Sequence, residues 1–543
     1  MKRSFLLPTL LAATLVVGAA NTQTTFITLD DGSVQQYDAE SVVFAADGSL
    51  LQLVTADGLL VQCNVDDIKA LTFSQPAGSD SEVITAPEAV TFDDADADAP
   101  SQGEPVTLDD ADDDFGDFVE NFDSKGTITL TYNGNTVTKT GSVAGVNITI
   151  KGADVTVSAT KKATYILKGQ TDDGTFKLYS AKKCQVTLDG VTIRNADGPA
   201  IMMPKLVAGV TEYGGKTALI HLVGNSTIED GTYVPDGDTK GTFFSEGQLI
   251  FSGNGSLNIV SHCGHGIACD DYVRLRGTSV DGKYAHHPVI AVTAAKDGIS
   301  TNDQFLMYGG SLTINAADDG IDVAKGPVNL CGGTLSVTSV DEGITASYDE
   351  GLDATIHPDI TVSGGFVSVT TTGDKGMAFK AVRNLTVSGG AIQAKVLGAG
   401  SKCFNADGSI VVSGGKATLL ADGLPQWDDE EQDLSSAAGI RCTGTYTQSG
   451  GTIAAMATAA GGKGLNASGF ITVSGGHLTL VTLGSTYTQS GRNSRARAIN
   501  GDTSMVVRGG RTLVVAADEC IHTTALVQTG GVLGTKSSQS GAR

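Results

Sequence analysis

The sequence predicts an all-β fold: a right-handed parallel β-helix preceded by a small β-meander. Three observations carry that expectation. Glycine is abundant, 70 of 543 residues, with only 12 prolines and no Gly-X-Y period, which excludes collagen and points to many tight turns. Aromatic residues are scarce, at 6 %, while Val, Ile, Leu and Thr are plentiful, a balance that suits strands. The third and deciding observation is an internal repeat.

One marker of the repeat is an apolar residue after a small or charged pair. It runs from His265-Gly266-Ile267 through Asp297-Gly298-Ile299, Asp319-Gly320-Ile321, Glu342-Gly343-Ile344 and Lys375-Gly376-Met377 to Lys402-Cys403-Phe404. It continues as Ala438-Gly439-Ile440, Lys463-Gly464-Leu465, Arg497-Ala498-Ile499 and Glu519-Cys520-Ile521. The other marker is a Gly-Gly pair, first at 309–310 and last at 530–531. The two alternate from residue 297 with a minimal period of 21 to 25 residues, so longer intervals are insertions. Apolar pairs at spacing two, such as Ile321/Val323, Val328/Leu330 and Leu312/Ile314, each make a short strand with two inward side chains. Three strands joined by glycine turns close a coil, and about ten coils stack in register. A left-handed hexapeptide helix needs shorter coils, and right-handedness follows by analogy with coils of this length.

The elements before the repeat follow in order. Lys2 and Arg3 precede an apolar run from Phe5 to about Val17, and Gly18-Ala19-Ala20 offers a cleavage site. Residues 1–20 thus read as a secretory signal peptide, and the mature chain as secreted or held at the cell surface. No later run is long and apolar enough to span a membrane. Residues 21–74 alternate between Asp-Asp-Gly-Ser and Ala-Asp-Gly turns, a small β-module. Residues 75–125 are expected to be a disordered acidic linker, since 80–123 hold 16 Asp or Glu and no Lys or Arg. Residues 126–250 form the N-terminal part of the β-helix and 251–543 its repeat coils.

Charge narrows the partners. A net charge of −24 argues against nucleic acid, because a phosphate binder needs a basic face. Of the eight cysteines, Cys263 and Cys269 alone are close enough to suggest a local disulfide. Cys403 and Cys520 replace the marker glycine and Cys331 precedes Gly-Gly, so these read as small packing residues.

Together, Asn147-Ile148-Thr149-Ile150, Gln185-Val186-Thr187-Leu188-Asp189-Gly190-Val191, Asp197-Gly198-Pro199-Ala200-Ile201 and Phe244-Ser245-Glu246-Gly247-Gln248-Leu249 precede the repeated markers. In this combination the chain resembles the secreted carbohydrate-binding β-helix family over residues 126–533. That resemblance implies a fold similar to polysaccharide lyases, calcium binding, and attachment to cellulose or pectin-like acidic glycans without known catalysis.

Register lets side chains be read as ladders. Asp297, Asp319 and Glu342 stand two places before the marker residue, and Asp318, Asp341 and Asp374 one place earlier. Carboxylates about 5 Å apart repel strongly, and Ca²⁺ would neutralise them with its preference for 6–8 oxygens. Turn capping by the same aspartates is the competing reading. Asp303 and Asp322 are second-choice ligands. Further along, Lys375, Lys402, Lys463 and Arg497 occupy the position held upstream by Asp297, Asp319 and Glu342, with Lys380 and Arg383 nearby, a track for uronate carboxylates or simple charge balance. Two insertions carry Tyr348 and the single Trp, Trp427, which stack on sugars or anchor their loops. The expected protein is a monomeric, calcium-containing polysaccharide binder. A calcium-dependent lyase is the second reading and a surface adhesin or structural protein the third. No residue is distinguished as catalytic.

Overall fold

A computed structural model describes residues 22–45, 48–88, 117–208, 211–277, 286–348, 353 and 355–537. The expected signal peptide lies outside the described residues. The chain is all-β, with large sheets dominated by parallel pairs. Helical turns among the described residues are short 3-10 segments, such as Val65–Asp67, Val119–Asn121 and Gly237–Thr239.

Beyond the antiparallel pairs Thr127–Asn133/Val137–Thr140 and Val146–Lys151/Asp154–Ala159, strands of successive repeats pair in parallel along three ladders. One repeat contributes Ile321–Val323, Val328–Leu330 and Thr334–Ser339. These pair with Ile344–Ala346, Ile360–Val362 and Phe366–Thr371 of the next. Alternation places Ile321, Val323, Val328, Leu330, Leu335 and Val337 inside, and all six are buried. Each such side chain contributes roughly 1.5–3 kcal/mol, and they belong to one core running from Ile128 to Ala516. The interior also holds Gln448, fully buried between Val412 and Val473. It accepts from Tyr446 Oη at 2.8 Å and donates to the His477 carbonyl at 3.0 Å, which satisfies the buried amide.

The Gly-Gly marker has a steric cause. Gly333 sits at φ 84°, and a Cβ there would lie 2.6 Å from the Gly310 carbonyl oxygen of the preceding repeat. The first glycine is equally restricted, since a Cβ on Gly364 would meet the Cys331 carbonyl at 2.3 Å. Neither position accepts a side chain while the strands keep their spacing. All eight cysteines are free thiols, Cys263 and Cys269 included. The local disulfide is therefore not formed; Cys263 Sγ contacts the Gly231 carbonyl, and Cys269 Sγ the carbonyls of Gly247 and Tyr272.

The N-terminal strands Gln23–Leu29, Val34–Phe44, Leu50–Thr55, Leu60–Asn64 and Ile68–Thr72 form an antiparallel sheet. This sheet docks at the far end of the chain. Leu60–Asn64 pairs antiparallel with the last strand, Ala525–Ser537. Ile27, Tyr37, Leu51, Leu53 and Val61 bury a second core with Leu513 and Val532.

The disordered linker expected over 75–125 is corrected at both described ends. Glu82–Val83 pairs with Gln35 and Gln36, and Ile84 and Ala86 are buried. At the other end Asp117 is buried and bonded to the repeats. Composition marks this stretch as unable to form its own core, but it borrows one from surfaces that local sequence does not reveal. Residues 89–116 lie outside the described residues.

Candidate functional site

The first ladder, through Ile321–Val323, brings the predicted carboxylates together. Ile299, Ile321 and Ile344 are register partners, so Asp297, Asp319 and Glu342, each two places earlier, stack in turn. The Asp319 N–H lies 3.3 Å from Asp297 Oδ1, and the Glu342 N–H donates to Asp319 Oδ1 at 2.9 Å. Asp318, Asp319 and Asp341 each offer a carboxylate oxygen within 4.8 Å of the others. His265 Nδ1 lies 3.0 Å from Asp297 Oδ2, and Lys380 Nζ 2.8 Å from Glu342 Oε1. Burial and the Glu342 charge push the Asp319 carboxyl up to about 9. Burial, then Glu342, raises Asp341 to about 6, and burial, then Asp297, raises Asp322 to about 6. These carboxylates cannot all ionise bare, and their hard oxygen donors fit a divalent cation such as Ca²⁺. Asp303, raised chiefly by burial, lies one strand further along its repeat.

Asp374 does not join this group. Asp341 lies opposite Gly373, because Ser339 pairs with Thr371, while Ile344 pairs with Phe379. Residues 374–376 are thus a three-residue insertion in the turn. Asp374 Oδ1 accepts from the Ala399 N–H at 2.8 Å, the turn-capping role. The same insertion moves Lys375 out of register. It adopts φ 60° and points to Asp428 Oδ2 at 3.4 Å, and Met377 takes the place two before the marker residue, opposite Lys402, which leaves Phe379 as the marker residue of this repeat.

The expected basic track is also corrected. Lys402 and Lys463 hold the predicted register, but both are buried. Lys402 Nζ donates to the Gly400 carbonyl at 2.6 Å and Ser435 Oγ at 2.7 Å. Lys463 Nζ donates to the Gly461 carbonyl and Ser494 Oγ, each at 2.9 Å, and to the Arg495 carbonyl. Burial lowers Lys402 to about 8 and Lys463 to about 7, assisted by Arg441 and Arg497 respectively. These lysines fasten loops and are buried away from the surface a polymer would meet. Arg497 pairs with Glu519 at 2.8 Å and donates to Asn500 Oδ1 at 2.6 Å. Arg383 is exposed, 3.6 Å from Asp359.

A family profile described as "Carbohydrate-binding domain-containing protein" matches residues 151–421, 359–482 and 435–541. The chain belongs to that family. Among solved structures it is similar to a polysaccharide lyase-like protein from C. thermocellum, a gadolinium derivative, at 15 % identity and TM-score 0.37. That match covers 53 % of this chain and 96 % of the other. No curated protein matches.

In this carbohydrate-binding family member, the insertions hold the aromatic candidates differently. Trp427 lies on the hairpin Gln426–Asp428/Asp433–Ser435, opposite Leu434, half-buried, with Nε1 donating to Asp429 Oδ1 at 3.0 Å. A second hairpin, Tyr487–Gln489/Arg492–Ser494, lies beside it, tied by Ser436 Oγ to Ser494 Oγ at 2.7 Å. Tyr348 bridges to Lys325 and stands apart from both hairpins in the chain.

Sequence reading missed one row. One place after the marker residue, Asp322, Thr345, Lys380, Asn405, Arg441, Asn466 and Asn500 are register partners. Alternation turns them outward. Arg441 Nη1 donates to Asp407 at 2.7 Å, and Asn500 Nδ2 to Asn466 Oδ1 at 2.8 Å. The signal was present in the repeat: Ile299, Ile321, Ile344, Phe404, Ile440, Leu465 and Ile499 are each followed by a polar residue, and amide or guanidinium side chains dominate the later repeats.

Proposed function

We propose that this chain is a secreted or cell-surface, calcium-dependent glycan-binding protein without catalysis, whose three ladders are the faces of a right-handed parallel β-helix. The observation that carries this reading is the position of the carboxylate cluster at the head of the outward polar row. Ca²⁺ held by Asp318, Asp319 and Asp341, with Asp297 and Glu342 adjacent, neutralises charge that otherwise opposes folding. Lys380, Arg441, Asn466 and Asn500 then offer spaced donors and acceptors to the hydroxyl or carboxylate groups of a linear glycan. Family membership supports a polysaccharide as the partner. The docked N-terminal sheet covers the last strand, which suits a monomer.

The lyase reading needs a base beside the metal. His265 and Lys380 are the basic side chains at the cluster, and Lys380 is held protonated: burial favours its neutral form, but Glu342, Asp319 and Asp341 outweigh that. A lysine so held is a poor proton acceptor. The test is a pull-down on cellulose and on polygalacturonate, in calcium and in chelator, with absorbance of unsaturated product followed in parallel. Calcium-dependent retention without product supports the binding function; product formation lost on Lys380→Gln replaces it with the lyase.

A further inference from the structure

Residues 117–122 form a strap across the outer side of the second ladder, the one that runs through Tyr272–Leu275 to Val328–Leu330. Asp117 pairs with Lys183, accepts from Tyr272 Oη at 3.0 Å and lies 3.6 Å from Arg274 Nη1. Glu120 pairs with Arg276 at 3.0 Å and with His286. The Phe118 ring centre lies 4.0 Å from the Arg276 guanidinium. Four basic side chains converge here on a chain of net charge −24. Arg274, Arg276 and His286 are 9 %, 5 % and 6 % exposed. Burial alone would raise the Glu120 carboxyl, yet His286 and Arg276 hold it down at about 2.

Packing does not call for these cations. Arg274 has Ile250 and Leu306 as register partners in the repeats on either side, and both are buried. An apolar side chain therefore suffices at this position, whereas a buried guanidinium requires an anion. Arg276 Nη2 remains without a hydrogen-bond partner. A cavity of about 280 Å³, lined by His221, Asn254 and His286 among others, opens beside the strap. His286 thus belongs to both. The strap presents two carboxylates, Asp117 and Glu120, to these cations, which is the charge pattern of consecutive uronic-acid units. Arginine recognises such carboxylates by paired hydrogen bonds.

We propose that Lys183, Arg274, Arg276 and His286 form a second glycan site, specific for uronate-bearing chains, and that the strap occupies it as a tethered stand-in. The site is distinct from the carboxylate cluster and polar row, and the cavity is its free subsite. A tethered segment acts at high effective concentration, so a soluble ligand meets competition until the strap carboxylates are removed.

The experiment uses the full mature chain in chelator, with a galacturonate trimer and a neutral cellotriose control, read by calorimetry. Asp117→Asn with Glu120→Gln is expected to tighten trimer binding by about tenfold or more and to leave cellotriose unchanged. Adding Arg274→Gln and Arg276→Gln should abolish the gain. In the unaltered protein, saturating trimer should speed amide hydrogen exchange of residues 118–122. A folded strap variant that binds trimer no more tightly overturns the proposal, as does trimer binding that leaves strap exchange unchanged. If the double variant does not fold, Glu120→Gln alone is read by the same criteria. Calcium-dependent retention on cellulose reads the function proposed above independently of this site.

Discussion

Asp67 Oδ2 accepts a hydrogen bond from the Gly531 backbone N–H at 2.7 Å, joining positions 464 apart in the chain. Gln528 Nε2 donates to the Gln62 carbonyl at 3.0 Å beside it, and Arg511 pairs with Glu82 at 2.6 Å. The N-terminal sheet thus seals the strand Ala525–Ser537, whose backbone groups would otherwise offer an edge to another chain.

Removing residues 22–88 is therefore expected to produce self-association, measured by light scattering, alongside a lower melting temperature. The milder change Leu53→Ala deletes a side chain from the shared core. It should cost about 2–4 kcal/mol in that unit and increase hydrogen exchange in Ala525–Ser537. An unchanged, monomeric truncation would mean that the sheet is an appendage.

The carboxylate cluster predicts how stability depends on pH. Asp319 and Asp341 are raised to about 9 and about 6 in the folded chain, above a carboxylate's unfolded value near 3.8. The folded state binds their protons more tightly. Their contribution is complete below about pH 4 and is lost as pH rises through about 6 and then about 9. Lys402 and Lys463, lowered to about 8 and about 7, act oppositely and favour folding as pH rises above these values. The melting temperature in calcium minus that in chelator isolates the carboxylates, and should grow from pH 5 to pH 9. Asp319→Asn with Asp341→Asn should flatten that difference.

Lys463→Met tests whether the buried lysine holds a hairpin or contacts ligand. The variant should leave the salt dependence of polygalacturonate retention unchanged. It should make the hairpin Tyr487–Gln489/Arg492–Ser494 more susceptible to limited proteolysis, because Ser494 and Arg495 lose their common donor.

The glycine pair supplies a steric comparison. Gly333→Ala combines a positive φ with a close carbonyl and should destabilise by about 2 kcal/mol or more. Gly491→Ala, at φ 79° with nothing within 4 Å, should cost about 1 kcal/mol, the backbone part alone. Paired thermal melts distinguish the two.

The repeat was legible because each ladder position faces its own equivalent one repeat away. A periodic structure leaves a periodic sequence: Ile299, Ile321 and Ile344 pair as their spacing implies, and Asp297, Asp319 and Glu342 follow them into one cluster. The Gly-Gly marker likewise reflects a local steric demand repeated at every turn. Tertiary structure alone decided what breaks that period. The insertion at 374–376 displaces Asp374 and Lys375, and two hairpins overhang the ladder and bury Lys402 and Lys463. The N-terminal sheet meets the strand Ala525–Ser537 through Asp67 and Gly531, and an acidic strap finds Arg274 and Arg276. Such contacts join segments once each, between surfaces far apart in sequence, so no recurrence announces them. Their partners are set by burial and charge pairing that exist only after the ladders have formed.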